Sequence, residues 1–534
     1  MTIYHSISYY QTLVCLVHSC KNTDDKKVIL ISGSIEKSLD VKWLKKFFDE
    51  VVFVDIRVGF VPVDTETTII DEDILQEYFD GIFKSIHVEI DDDTKFYAGG
   101  CHYNFGVYLS VKKFPFYYIE EACGLLSNPD HVRNIDRNNR KEIDRVDGLG
   151  LYDATAQNIV GIICNANEQF ENYENPKMIH FDTSKELLSL DEESIKGIMR
   201  VYGDVEKKSI PSNSVVVLSQ HYANLNMMTY DEQAALYGLF FDYFLEGKHI
   251  LMKRHPADNM AYSAMFDNVD VIKERFLSEF IPVVMEPLPT MIATISSTGI
   301  KPLRSVSESC LELDFDFEKR PEVLHRTYMT LELLSDLALN FDVFYYRINK
   351  SMMKNLCEYS NPKFKSLKLA EISSLEEVNE NSILIVDNLP DETYQENYIE
   401  DIADYFVNEC AAKAVIFMNS DKKYIFHKSF DGARWENIVP INLNITYNGQ
   451  FEGAGLHKYC NDEQFYVYSK DKEVLRMASE FKSSKELKHS KLVINTEGYD
   501  SEAKLKIAIL QGMLDATENR LSYYMSNESK QEET

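Results

Sequence analysis

Three short groups of residues carry functional groups in combinations that can do chemistry: the acidic pair Glu120-Glu121, the basic run Lys253-Arg254-His255-Pro256, and the hydroxyl-rich run Ser296-Ser297-Thr298-Gly299. Adjacent carboxylates can furnish a general base, because mutual repulsion or burial raises one of the two pKa values until it accepts a hydroxyl proton. In a chain with a formal charge of −30 an acidic pair is ordinarily just solvated, so position has to decide. The basic run gathers three potential cations, and Pro256 restricts His255 before it to extended geometry. Such a histidine can hold or protonate a departing phosphate; the plain alternative is an imidazole satisfied in a surface loop. The hydroxyl run combines small residues with a strand-to-helix turn, where free backbone N–H groups attract anions, although the same residue types are ordinary N-caps.

All three groups follow apolar runs that read as strands: Phe116 to Ile119, His249 to Met252, and Thr290 to Ile295. In open parallel sheets ligands bind beyond the carboxyl ends of the strands, which is where these residues then fall. Upstream, Lys27 to Gly33 and Val51 to Ile56 read as strands flanking a helix over Leu39 to Asp49, whose Trp43, Leu44, Phe47 and Phe48 share a face. Helices over Asp73 to Lys84 and Tyr103 to Lys113, with a strand over Lys95 to Ala98, continue an alternation that implies a mostly parallel sheet covered on both sides. Residues 126 to 177 are rich in Asn, Asp and Gly and read as an interdomain segment. A second α/β series starts with Met178 to Phe181 and continues through Ser214 to Leu218, a helix over Tyr230 to Glu246, His249 to Met252 and Val283 to Met285. Beyond about residue 340 come strand-like Ser382 to Val386, Ala414 to Phe417 and Lys491 to Asn495, and a final helix over Ser501 to Tyr524, with no motif tied to chemistry.

At 534 residues and 45% hydrophobic content the chain is long enough for roughly three domains of about 150 residues each. These are placed at 1–165, 166–338 and 339–534. The acidic balance excludes a general nucleic-acid binder, since phosphate backbones demand basic stripes, but leaves room for a local anion site. Nine scattered cysteines without a CxxC pair argue against a disulfide framework or structural zinc. No apolar run of about 18 residues and no basic, signal-like N-terminus is present, so a cytoplasmic location is expected.

The order acidic pair, His-Pro, paired Ser/Thr resembles the bacterial sialyltransferases of lipooligosaccharide and polysialic-acid capsule assembly over residues 1 to about 335. Tyr9-Tyr10-Gln11, Ser219-Gln220 and Met285-Glu286-Pro287-Leu288 add to the likeness. The resemblance implies a GT-B-like α/β fold, two Rossmann-like domains facing a cleft, here with an additional C-terminal α/β domain. It also implies a CMP-activated sialic or related nonulosonic acid donor, a glycan or glycolipid acceptor, and work in the cytoplasm or peripherally at the inner face of the plasma membrane.

By the same resemblance Glu121 or Glu120 activates the acceptor hydroxyl and His255 stabilises the leaving CMP. The resemblance extends the donor phosphate site to Pro256, Ser296 and Ser297, and the adjoining cations Lys253 and Arg254 and hydroxyl of Thr298 complete it by residue type and position; direct displacement with inversion at the sugar is the expected mechanism, with no cofactor required. The sequence departs from the family's acidic-acidic-Gly pattern, because Ala122-Cys123 intervene before Gly124, and Val146-Asp147-Gly148 is a rival match. The base therefore stays open among Glu121, Glu120 and Asp147, with Glu121 favoured. No Asp-x-Asp motif stands where it would hold a metal, so none is expected. Rival readings are a CMP-Kdo transferase, a CDP-glycerol or CDP-ribitol phosphotransferase of GT-B fold, and a non-catalytic glycan-assembly scaffold. His221 reads as a loop-capping histidine, and Phe114, Phe116, Tyr117 and Tyr118 as strand packing.

Overall fold

The computed structural model describes most of residues 1–120, 144–165, 177–313, 321–337, 342–372, 377–386 and 412–418, with isolated positions between them and the elements at 438–442, 445–446, 460–461, 464–469 and 471–485. Three main sheets organise these residues.

The first sheet draws on β1 (Thr2–Ser6), β2 (Lys27–Ser32), β3 (Glu50–Val54), β6 (Lys95–Gly99), β7 (Phe116–Ile119), β8 (Ile159–Cys164) and β9 (Met178–His180), while β4 (Phe60–Pro62) and β5 (Thr68–Ile70) form a separate hairpin. Its seven strands are parallel in the order β3-β2-β1-β6-β7-β8-β9. The second sheet contains β11 (Ser214–Leu218), β12 (His249–Lys253), β13 (Val269–Val271), β15 (Met291–Thr294) and β16 (Cys310–Glu312). Its strands too are all parallel, in the order β13-β12-β11-β15-β16. Beside it β10 (Lys208–Ser209) pairs with β14 (Met285–Glu286). Counted within each unit, both sheets begin with the Rossmann order 3-2-1-4-5, which places a topological switch point between β1 and β6 and another between β11 and β15.

The third sheet orders β17 (Asp342–Tyr346), β18 (Lys368–Glu371), β19 (Ser382–Val386), β20 (Ala414–Met418), β21 (Ile438–Asn442) and β24 (Gln464–Tyr468) as β18-β17-β19-β20-β24-β21, with β22 (Ile445–Thr446) and β23 (Cys460–Asn461) apart from it. Its first four strands are parallel and β24 runs antiparallel to both neighbours. The expected α/β class with two Rossmann-like units and a further α/β unit is what the sheets display.

Continuous apolar strands suit sheets covered on both faces: Val28 to Ile31 are fully buried, as is every residue of Ser214–Leu218 or nearly so. Helix starts follow side-chain caps, Ser8 for 9–21, Asp71 for 72–85, Asp182 for 183–188 and Asp191 for 192–201, each accepting a backbone N–H of the first turn. The sheets share cores. The helix at 9–21, the pair at 183–188 and 192–201, and the segment 278–284 contribute to one apolar cluster that also takes in Val216, Leu251 and Ile292 of the second sheet. On the other side of that sheet, the helices 230–244 and 321–337 join Val343, Ile383 and Ile416 of the third sheet in a second cluster. Among the described residues no helix is long and apolar enough to cross a membrane.

Several expectations need correction. Ile159–Cys164, inside the stretch read as interdomain, is a strand paired with β7, and Met178–His180, read as opening the second series, is the edge strand of the first sheet. Asn, Asp and Gly around 159–164 masked a six-residue strand whose partner was out of sight of any local reading. The helix expected over Leu39 to Asp49 stops after Leu44, because the chain tightens into turns that carry Asp49 to its bond with Lys27 O at 2.8 Å and so start β3. Val283–Val284 belong to a one-turn helix entered at Pro282, and only Met285–Glu286 are extended. Lys491 to Asn495 and Ser501 to Tyr524 lie outside the described residues.

Candidate functional site

The carboxyl ends of β11, β12 and β15 come together in the second unit, bordering its switch point. Chain leaving β11 supplies Ser219 to Tyr222, chain leaving β12 supplies Arg254 to Asp258, and chain leaving β15 supplies Ser296 to Gly299. Buried Asp258 ties the first two together: its carboxylate accepts from the Ser219 hydroxyl, from Tyr262 Oη at 2.9 Å, from Met260 N at 3.2 Å and from Gln233 Nε2 at 3.4 Å. Ser219 Oγ in turn accepts the His255 backbone N–H at 3.0 Å, so the His-Pro turn hangs from β11 through one hydroxyl. Burial raises the Asp258 carboxyl above the usual range, with the Ser219 and Tyr262 hydrogen bonds pulling the other way.

The imidazoles of His221 and His255 stack, with centroids 4.1 Å apart and planes 18° from parallel. His255 Nδ1 accepts the Ala257 N–H at 3.2 Å, which leaves the proton of the neutral ring on Nε2. Burial first, then the neighbouring His221 and Lys253, push the His255 pKa down to about 4, and burial lowers His221 as well. Lys253, the last residue of β12, lies with Nζ 4.6 Å from the Phe276 ring centre, and burial pushes it down to about 8 against the opposing pull of Glu279. Glu279 is itself buried, which raises its carboxyl.

Next to His221, buried Tyr222 shares a 2.7 Å hydrogen bond between its hydroxyl and Ser296 Oγ. Contacts thus run Ser296–Tyr222–His221–His255, joining two of the three groups read from the sequence. Thr294 Oγ1 donates to Leu218 O at 2.8 Å and accepts Ser297 N–H at 2.9 Å, fixing the turn after β15, and Thr298 opens a short 3-10 helix over 298–303 with Ser297 at its cap. Arg254, Pro256 and Thr298 are exposed, and Arg254 Nη1 reaches Met260 O at 3.5 Å. The hydroxyls of Tyr222, Ser296 and Ser297, the imidazoles of His221 and His255 and the cations Lys253 and Arg254 gather at this end of the sheet; the carboxylates of Asp258 and Glu279 are buried, and that of Glu312, at the end of β16, is paired with Arg304.

Glu120 stands on the other sheet, directly after β7 as expected, and is 1% exposed. Its Oε1 accepts the Asn165 N–H at 3.2 Å and the Tyr10 hydroxyl at 3.5 Å, while its carbonyl receives Gln11 Nε2 at 3.4 Å. Tyr10 Oη also meets Thr183 Oγ1 at 3.2 Å, so the glutamate sits where the helices 9–21 and 183–188 begin. Glu121 lies outside the described residues. The rival Asp147 is in a short helical turn over 144–148 and accepts from Arg133 Nε at 2.8 Å, part of a cluster with Asp130 and Asp153 around one guanidinium. Among the described residues no group of His, Cys, Asp and Glu is placed to hold a metal ion.

Sequence reasoning missed Tyr222 and Asp258 and undervalued His221. Ser219 to Tyr222 follow the central strand, and only the strand order reveals that this strand borders the switch point.

No family model matches the chain, and no curated protein matches its sequence. Among solved structures it is similar to the glycosyltransferase of kitacinnamycin (8% identity, TM-score 0.35, covering 70% of this chain and 85% of that one). It is also similar to the glycosyltransferase VinC in complex with dTDP (11%, 0.34, 61% and 84%). A third is Medicago truncatula UGT71G1 complexed with UDP-glucose (10%, 0.33, 59% and 84%).

Proposed function

We propose that the protein is a glycosyltransferase of GT-B type that moves sialic acid, or a related nonulosonic acid, from a CMP-activated donor to a hydroxyl of a surface glycan. The observation that carries this reading is the convergence of His255 and Ser296, forty-odd residues apart in the chain, through Tyr222 and His221 at the switch point of a 3-2-1-4-5 parallel sheet. Loss of CMP develops negative charge on phosphate, and imidazole N–H, hydroxyls and Lys253 supply donors for that charge in a partly desolvated place. The acidic pair after β7 supplies the acceptor base. Because Glu120 is enclosed and already hydrogen-bonded, it braces the strand end, and its neighbour Glu121 is the carboxylate that takes the acceptor proton in this reading.

The deciding experiment offers the purified protein CMP-sialic acid, CMP-Kdo, CDP-glycerol and UDP-sugars and follows nucleotide release with and without an acceptor glycan. Release of CMP from CMP-sialic acid that His255→Ala lowers about a hundredfold or more, with the fold intact by circular dichroism, supports the reading. Release from CDP-glycerol alone, or undiminished turnover in His255→Ala, overturns it.

A further inference from the structure

The stacked pair His221 and His255 explains more than one histidine could. In each ring Nδ1 is the nitrogen turned to the protein: that of His255 accepts the Ala257 N–H, and that of His221 is buried with no hydrogen-bond partner among the described residues. Nε2 is then the nitrogen each ring can offer to a ligand. Resting on the donor-site reading above, we propose that His221 and His255 form a two-imidazole clamp for a phosphomonoester dianion, and that binding the dianion draws a proton onto the pair.

Two imidazoles in face-to-face contact at 4.1 Å cannot both be protonated unless an anion compensates them. The surroundings sharpen this. Lys253 from the end of β12 and exposed Arg254 add positive charge, partly offset by Glu279, which acts on Lys253 and accepts Ser278 Oγ–H at 3.1 Å; Asp258 is taken up by Ser219, Tyr262 and Met260, and Glu312, at the end of β16, by Arg304. Tyr237, whose hydroxyl receives Gln220 N–H at 2.8 Å, and Tyr222 pack behind the pair and are neutral. Without a ligand the rings are neutral at pH 7, since both titrate below the ordinary histidine value. A dianion brought against them raises both pKa values, so binding takes up protons and affinity grows as pH falls. A neutral nucleoside gains nothing from this coupling.

The test is calorimetric titration of the full-length protein with CMP, inorganic phosphate and cytidine, in two buffers of different ionisation enthalpy, over pH 7 to about 8.5, where the phosphate of CMP is a dianion. CMP affinity is expected to fall between about threefold and tenfold per pH unit, with uptake of about one proton, and the dianion of inorganic phosphate, after correction for its own ionisation near neutral pH, to follow the same direction more weakly while cytidine shows none. His221→Gln is expected to weaken CMP about tenfold and to remove most of the uptake, as is His255→Gln. If His221→Gln binds CMP with the wild-type affinity and slope while His255→Gln does not, the clamp is refuted and the donor-site reading survives. If the wild-type protein binds no CMP, both fall. Histidine side-chain NMR of the unmutated protein guards against a variant that misfolds: both rings must show a raised pKa with CMP, and a rise in only one overturns the clamp.

Discussion

Replacing Asp258 by alanine should release the turn that carries His255. Four donors converge on this buried carboxylate, those of Ser219, Tyr262, Met260 and Gln233. Gln233 keeps Gln220 O at 3.2 Å as an alternative acceptor, so three donors are orphaned: the Ser219 and Tyr262 hydroxyls and the Met260 amide. An orphaned buried donor costs about 1–3 kcal/mol, but water entering the vacated space and relief of the carboxylate's own burial, visible in its raised pKa, offset part of that. A net local loss of about 3 kcal/mol remains, equivalent to roughly a hundredfold faster opening-limited exchange. Hydrogen exchange read by mass spectrometry on peptides spanning 250–262 reports it, through the amides of His255 and Ala257, which are bonded to Ser219 Oγ and His255 Nδ1. Asp258→Asn keeps the volume and an acceptor for Met260 and should give roughly a tenfold effect. Exchange of that peptide within threefold of wild type in Asp258→Ala would refute the idea that this carboxylate holds the turn.

Acidification should destabilise the fold through its buried histidines. His5 and His325 are buried neutral, with pKa values pushed down to about 4 and about 3, so the unfolded chain binds more protons below about pH 6.5 and stability falls with pH there. At pH 5 each should cost about 2 kcal/mol, opposed in part by Asp258 and Glu279, whose raised pKa values favour the folded state as pH falls; a melting temperature no lower at pH 5 than at pH 7 would contradict this. Tyr222→Phe removes the hydroxyl bonded to Ser296 and should weaken CMP binding about threefold to tenfold while leaving the melting temperature within a few degrees, as thermal scans with and without CMP would reveal. Glu121→Gln should leave CMP affinity intact and suppress acceptor-dependent transfer about a hundredfold or more, whereas Glu120→Gln should chiefly lower stability; loss of transfer in Asp147→Asn alone would move the base to the Arg133 cluster.

The strands of the Rossmann-like units were legible wherever they were buried on both faces, since Val28 to Ile31 and Ser214 to Leu218 are uninterrupted apolar runs. Shorter edge elements were not. Met178–His180 is half to fully exposed in places and carries no alternation, and its membership in the first sheet depends on a neighbour, Ile159–Cys164, that itself hides among turn-forming residues. The basic and hydroxyl runs stood out because their residue types are unusual after an apolar strand. Asp258 and Tyr222 did not, because a carboxylate and a phenol in a loop look solvated until strand order shows that β11 lies between β12 and β15. Even the helix ending at Leu44 was overrun for a tertiary reason: Phe48 is needed in the core, but a turn delivers it there as well as a helix does.

The helix 321–337 has a consequence for anyone dividing this gene. Leu324, Tyr328, Leu331 and Leu334 are buried in the same cluster as Val343, Ile383 and Ile416, so the helix is a party wall between two units and belongs to neither alone. A clone that stops after it would translate a protein whose last helix presents a bare apolar flank, each large side chain forgoing about 1.5–3 kcal/mol of burial and inviting aggregation instead. Proteases, chaperones and expression hosts would all register that truncation as damage. The C-terminal unit is thereby bound to the fate of the second sheet, and a fragment meant to retain the anion site has to carry it.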